Sequence, residues 1–179
     1  TASCSREETL REQAVELVLT GPSTPFVSTR RTEQVLLDLI NGANRELFLV
    51  SFVTYHWPPI IEALQNAVTR HVCVNVLLEA SEADGGTLEN DPSTILRKLV
   101  PQASIYQWTS RTEEFLGGKV HAKIAVADAK TAFVTSANLT GHAMEKNFEA
   151  GVLVDGGEIP RDLSSHIQGL IDVKVITKA

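Results

Sequence analysis

The sequence predicts an α/β domain: a mixed central β-sheet flanked by helices on both faces. Three observations predict it. Apolar runs of strand length alternate with segments whose apolar residues recur at helical spacing. The early runs are separated by such helical segments, as crossovers between parallel strands require. Later, two runs are separated only by Asp128-Ala129-Lys130, a spacing that fits an antiparallel hairpin.

Taken in order, Ser5 to Leu19 reads as a helix, with Leu10, Ala14, Leu17 and Val18 as its apolar stripe and Ser5 with Glu8 as a capping box. Gly21-Pro22-Ser23-Thr24-Pro25 breaks that pattern as a linker. Residues 1–22 are therefore expected to be a helix and linker, and 23–179 the main domain. Thr32 to Ala43 is a helix through Val35, Leu36, Leu39 and Ile40, and Leu47 to Val53 a strand. Pro58 to Thr69 is a helix with proline in its first turn, where the missing N–H costs nothing. Val72 to Leu78 is a strand, followed by a polar loop from Ser81 to Asp91 with four acids, Glu82, Asp84, Glu89 and Asp91, read as solvated. Asp91 caps a short helix that runs to about Val100. Strands are expected at Ser104 to Trp108, Val120 to Ala127, Thr131 to Thr135, Phe148 to Val154 and Val173 to Ile176, with a helix from Pro160 to Leu170.

The 179 residues are 43% hydrophobic and 21% charged, ordinary values for a globular chain. They exclude a disordered chain, a collagen repeat and a coiled coil. No window approaches 18 uninterrupted apolar residues, so no membrane-spanning helix is expected. No basic segment followed by an apolar run opens the chain, so no secretory signal is visible. The chain starts at Thr1 and not at Met, which leaves room for a preceding region. Sixteen Lys and Arg against 22 Asp and Glu give a net charge of −6, not the basic balance of a typical nucleic-acid binder, although a local basic cleft is compatible with an acidic body. Cys4 and Cys73 form no CxxC pair, so neither a disulfide framework nor a cysteine zinc site is expected. Cys73 falls in an apolar run and is predicted to be buried, and the default compartment is the reducing cytoplasm.

The segment that carries chemistry is Val120-His121-Ala122-Lys123-Ile124-Ala125-Val126-Ala127-Asp128, with Thr135-Ser136-Ala137-Asn138 after it. On a strand, alternate residues share a face, so Val120, Ala122, Ile124 and Val126 are expected to face the core. His121 and Lys123 then point the other way, about 7 Å apart along the strand. Folding the hairpin about Ala129 sets Lys123 near Thr135 and His121 near Ala137, with Ser136 and Asn138 as neighbours. A histidine serves as nucleophile or general acid near neutral pH, lysine adds a cation, and Ser and Asn add neutral donors. Together they suit a group with several anionic oxygens, such as a phosphoryl group. No accompanying carboxylate–histidine cluster calls for a metal, and no cofactor is expected.

These residues resemble a known family. His121-x-Lys123-x4-Asp128-x6-Thr135-Ser136-x-Asn138 is similar to the HKD motif of the phospholipase D superfamily, H-x-K-x4-D-x6-G-S-x-N, with Thr135 where the family has Gly. That departure is expected to alter the turn into Ser136. Glu149 falls where the family commonly has an acid that holds the catalytic histidine. The resemblance covers roughly 29–176 and implies a phospholipase-D-like fold. Only one copy of the motif is present, and family members of that kind complete the site as homodimers about a two-fold axis, a natural isologous arrangement. The implied chemistry is metal-independent phosphodiester hydrolysis. His121 of one subunit forms a phosphohistidine, and the partner's His121 protonates the leaving oxygen and then activates water. Lys123, Asn138 and Ser136 stabilise the non-bridging oxygens, and Glu149 fixes a histidine tautomer. Asp128 lies in the turn, where a structural role is favoured over a catalytic one.

For substrate contact, Arg111 and Lys119 are placed to steer a phosphate backbone, with Glu113 and Glu114 between them. Tyr55, His56 and Trp57 lie between a strand end and a helix, where ligand crevices form; the alternative is a packed aromatic at a helix start. His142 and His166 are read as surface residues. Compact single-motif members of the family resemble nucleases more than lipid hydrolases, which favours nucleic acid, DNA ahead of RNA. The chain also resembles the phospholipase-D-like component of bacterial DISARM anti-phage systems, which implies other defence proteins as partners. Two alternatives stay open: a phospholipase or phosphatidyltransferase, and a non-catalytic HKD-fold binding or assembly module.

Overall fold

The computed structural model describes residues 13–54, 57–82, 86, 88 and 91–179. Eight strands form one mixed sheet: β1 (Ala14–Thr20), β2 (Glu46–Ser51), β3 (Cys73–Leu78), β4 (Ser104–Gln107), β5 (Ile124–Ala127), β6 (Thr131–Thr135), β7 (Glu149–Asp155) and β8 (Thr177–Lys178). Their order across the sheet is β1-β7-β6-β5-β2-β3-β4-β8. Among the strands of the described residues, only β2–β3 and β3–β4 pair in parallel. These are the pairs whose connections carry the crossover helices α2 (Pro58–Thr69) and α3 (Ser93–Leu99).

The sheet is covered on both faces, as expected. On one face, α1 (Thr32–Gly42) and α2 bury Val35, Leu36, Leu39 and Ile40, and Ile60, Ile61, Leu64 and Ala67, against Leu47, Leu49, Val74 and Val76. On the other face, α5 (Ile159–Asp172) brings Ile167 to Phe48, Val50, Leu77, Tyr106 and Val120. A short α4 (Gly141–Glu145), which five residues of periodicity cannot announce, is capped by the Thr140 hydroxyl, which accepts from Ala143 N. The predicted α2, β6 and most strand limits match to within a residue or two, while β8 lies at Thr177–Lys178 and not at 173–176.

Three further expectations change. Residues 14–20 are strand β1, not the end of a helix, and pair antiparallel with β7 from Ala14↔Asp155 to Thr20↔Glu149. A short apolar run satisfies either period, and the open edge of β7 settles the choice by supplying hydrogen-bond partners. Residues 14–20 therefore belong with the sheet; residues 5–12 of the expected N-terminal helix, with its capping box, lie outside the described residues. Cys73 opens β3 and is exposed, not buried. Strand β5 begins at Ile124, so His121 and Lys123 precede it, and Ala122 is exposed instead of facing the core.

The β5–β6 hairpin turns on Asp128 and Ala129, both with positive φ (55° and 54°), closed by Lys130 N to Ala127 O at 2.9 Å. Two left-handed central residues make a type I′ turn, whose twist suits the flanking strands. Ala129 holds that conformation against the clash of its own Cβ. Ala129→Gly is expected to stabilise the chain by about 0.5–1 kcal/mol, read as a higher midpoint in denaturant at unchanged slope.

Candidate active site

The site forms where β2 and β3 end, β5 begins, β6 ends and β7 begins. This is the carboxyl edge of the parallel strands, where open α/β sheets place ligands. The hairpin register sets Ile124 opposite Val134, and Thr135 N donates to Lys123 O at 3.0 Å, so Lys123 lies opposite Thr135 as the period-2 argument required. His121 is exposed, and its ring lies 5.7 Å from that of Phe52. Lys123 is only 7% exposed. Its Nζ sits 3.1 Å from His121 Nδ1 and 3.3 Å from Nε2, and donates to His121 O at 2.7 Å. An open imidazole is thus backed by a buried ammonium. Burial lowers the Lys123 pKa from its ordinary value, and the Glu149 charge opposes this in part.

Glu149 is 8% exposed. Its carboxylate accepts from the Ser136 hydroxyl and, at 3.0 Å, from Asn147 Nδ2. Ser136 Oγ also accepts from Ala150 N at 3.1 Å. Among the described residues no hydrogen bond joins Glu149 to His121, so within one chain the acid orients Ser136 and sits near the Lys123 charge, and does not hold the imidazole. Asn138 Oδ1 lies 3.5 Å from Ser51 Oγ, and the same hydroxyl donates to Val53 O and accepts from Leu139 N, which ties the Asn138 segment to the end of β2.

Thr135 causes no distortion of the turn. It does not adopt positive φ, and the residue opposite it is Gly151. A Cβ at Gly151 would lie 2.9 Å from Thr135 Cβ and 2.7 Å from Val134 O. The missing side chain across the pair makes room for the one gained at Thr135, so the departure from the family pattern is compensated locally.

Asp128 faces away from this cluster and accepts from the backbone amides of Asn44 (2.9 Å), Arg45 (2.8 Å) and Glu46 (2.9 Å). It anchors the hairpin turn to the start of β2. Burial raises the pKa of its carboxyl, but the amides of Glu46, Asn44 and Arg45 outweigh that and hold it below the ordinary value of 3.8. Its stabilisation is therefore complete above that value and is lost as the pH falls through the lower, folded-state value. Asp128→Ala is expected to cost about 2 kcal/mol at pH 7. Urea melts at pH 7 and pH 3 should show the variant and the parent converging in acid.

The remaining predicted residues separate. Lys119 is exposed beside His121. Arg111 is not an exposed phosphate contact: its side chain is 7% exposed and pairs with Glu79 at 2.9 Å, with the guanidinium 4.8 Å above the Trp108 ring. Trp57 is core, with its indole N–H directed to Glu145 at 3.3 Å. His56 and Tyr55 lie outside the described residues.

Sequence reasoning missed Glu79. It is fully buried, receives Arg111 on one oxygen and, on the other, the amide of Val120 at 2.6 Å. It therefore fixes the backbone one residue before His121. The available signal was its place directly after the apolar run of β3, at the ligand edge of the sheet. Beyond this anchor lies a groove of about 440 Å³, mostly apolar, between Trp108, Phe115 and Leu170, with Lys119, His121 and His166 also lining it.

The comparisons with known proteins fit this geometry. The DISARM protein DrmC of Bacillus paralicheniformis is 27% identical over 150 residues, which are 83% of this chain; the chain spans 60% of that relative's length. Among solved structures, Nuc from Salmonella typhimurium, a phospholipase D family member, superposes with a TM-score of 0.63 at 20% identity, covering 94% of this chain and 99% of that one. NucT from Helicobacter pylori superposes at 0.69 with 18% identity, covering 94% and 100%. Phosphatidylserine synthase of Haemophilus influenzae superposes at 0.68 with 13% identity, covering 93% and 40%. At these identities the structures share the fold. Residues 36–171, most of the chain, match the family described as "Cardiolipin synthase, PLD-like domain", and the chain belongs to that phospholipase-D-like family.

Proposed function

We propose that the chain is a phosphodiesterase of nuclease type that cuts nucleic acid, DNA in preference to RNA, through a phosphohistidine. The observation that carries this reading is the open His121 ring backed by the buried Lys123 ammonium at 3.1 and 3.3 Å. An imidazole nitrogen supplies the nucleophile, and a fixed, poorly hydrated cation beside it favours the charge that gathers on the phosphoryl oxygens. In the first step a bond forms between His121 and phosphorus while the bond from phosphorus to the leaving oxygen breaks. In the second, water attacks phosphorus, the P–N bond breaks, and His121 is regenerated.

The leaving oxygen needs a proton, and the attacking water must lose one. The chain carries one His-x-Lys motif, so the second histidine is assigned to the partner's His121 across a two-fold axis. Asn138, whose Oδ1 lies against Ser51, offers its amide N–H groups to the phosphoryl oxygens, and the Ser136 hydroxyl, which donates to Glu149, positions that acid near Lys123. The likeness to DrmC supports a role in anti-phage defence alongside other defence proteins. Among the described residues no helix is long and apolar enough to cross a membrane.

The test is cleavage of end-labelled oligonucleotides in EDTA, together with the mass of the chain in solution. Cutting in EDTA by a particle of twice the chain mass is expected. Absence of cutting on every strand form would sink the nuclease reading, and a monomer that cuts at full rate would sink the shared site.

A further inference from the structure

The groove beside His121 has a mixed lining. Its charged or titratable side chains are His121, Lys119 and His166. Its apolar wall includes Trp108, Phe115 and Leu170. The two aromatic rings meet edge to face, with centroids 5.8 Å apart and planes at 62°. Phe115 is half exposed, so one large apolar ring is presented to solvent.

This wall is set in advance. The Arg111 guanidinium lies 4.8 Å over the Trp108 ring and is itself held by the buried Glu79 carboxylate. The other oxygen of Glu79 receives the Val120 amide, immediately before His121. One buried carboxylate therefore fixes both the aromatic wall and the backbone that carries the nucleophile. The wall and the backbone of the nucleophile are thereby held in a set relation to one another.

We propose that the groove is a base subsite: it receives one unpaired nucleobase attached to the phosphate at His121, so that the chain prefers single-stranded to duplex nucleic acid. The proposal rests on the nuclease reading above. Three features select a base. A flat ring stacks on the exposed Phe115 face, as bases do on aromatic side chains. The cation Lys119, which lines the groove together with His121, matches the phosphate to which a base is joined. A volume of about 440 Å³ suits a single small-molecule-sized group. A base stacked within a duplex cannot present its face there unless it is first extruded.

The experiment compares the full chain with Phe115→Ala and Phe115→Tyr, all checked for an unchanged thermal midpoint. Substrates are a labelled single strand of ten nucleotides, its duplex, and phosphatidylglycerol vesicles. Single-strand cleavage at least about tenfold faster than duplex cleavage is expected. Phe115→Ala should lose about 5- to 100-fold in kcat/KM on the single strand, the range seen on removing a stacking aromatic, and Phe115→Tyr should keep most of it. Equal cutting of both strand forms with no effect of Phe115→Ala overturns the base subsite and leaves the nuclease reading intact. Vesicle hydrolysis that falls in Phe115→Ala, without oligonucleotide cleavage, overturns both and assigns the groove to an acyl chain. If no substrate reacts, the nuclease reading falls and anisotropy of the labelled single strand decides the groove. Weaker binding by Phe115→Ala then supports it, and equal binding overturns it.

Discussion

His121→Ala is expected to lower phosphodiester cleavage by at least about a thousandfold, because the nucleophile of both half-reactions disappears together. The thermal midpoint should hardly move, since the ring is exposed and, among the described residues, touches only the Lys123 ammonium and, in a tilted approach at 5.7 Å, the Phe52 ring. Lys123→Met makes the complementary case. It should cost about a hundredfold in kcat through loss of the cation at the phosphoryl oxygens. It should also leave stability unchanged or raised, because the buried ammonium is held with its pKa below the ordinary 10.5, mainly by desolvation.

The sign of the pH dependence follows. The folded chain releases the Lys123 proton at a lower pH than the unfolded chain does. Between those two values the unfolded state binds more protons, so stability rises with pH as the folded-state value is passed and levels off above about 10.5. Denaturant melts from pH 8 to 11 should show that rise in the parent and not in Lys123→Met. A variant that loses stability at every pH while keeping its rate would refute the assignment of Lys123 to catalysis.

The second large effect is at Glu79. Glu79→Ala removes a buried carboxylate 2.9 Å from the Arg111 guanidinium and the acceptor of the Val120 amide. Breaking one side of a buried pair costs about 3–5 kcal/mol. For a chain of this length that corresponds to a fall of roughly 10 °C in thermal midpoint. Replacing both partners, Glu79→Met with Arg111→Met, should recover most of the loss, because both buried charges are then removed together. Glu79→Gln separates positioning from folding. With the fold retained, kcat should drop about tenfold or more at nearly constant KM, since a small displacement of Val120 moves His121 away from in-line attack. Unchanged kcat in a folded Glu79→Gln variant would reduce Glu79 to a structural residue.

Much of the site was legible because its parts are close in sequence. His121, Lys123, Asp128, Ser136 and Asn138 all lie on one hairpin and its flanks, where a period of two and a short turn fix who faces whom. The placement of Lys123 opposite Thr135 followed from that arithmetic alone. The expected consequence of Thr135 did not, because the compensating Gly151 sits on another strand. The same limit applies to Arg111. A basic residue in a polar stretch reads as exposed until the chain returns Glu79, 32 positions earlier, to within 2.9 Å of it.

The sequence by itself determined the fold class, the place of the β5–β6 hairpin, and the His121–Lys123 motif. Each of these depends on spacings of a few residues, which local backbone geometry converts directly into faces and turns. Tertiary structure alone decided that residues 14–20 are an edge strand, that Glu79 anchors the nucleophile segment, and that Trp108, Phe115 and Leu170 enclose a groove beside His121. Those outcomes depend on which distant backbone edge needs hydrogen-bond partners and which buried charge needs a counter-ion. Both are questions about neighbours far apart in the chain, and local periodicity does not encode them.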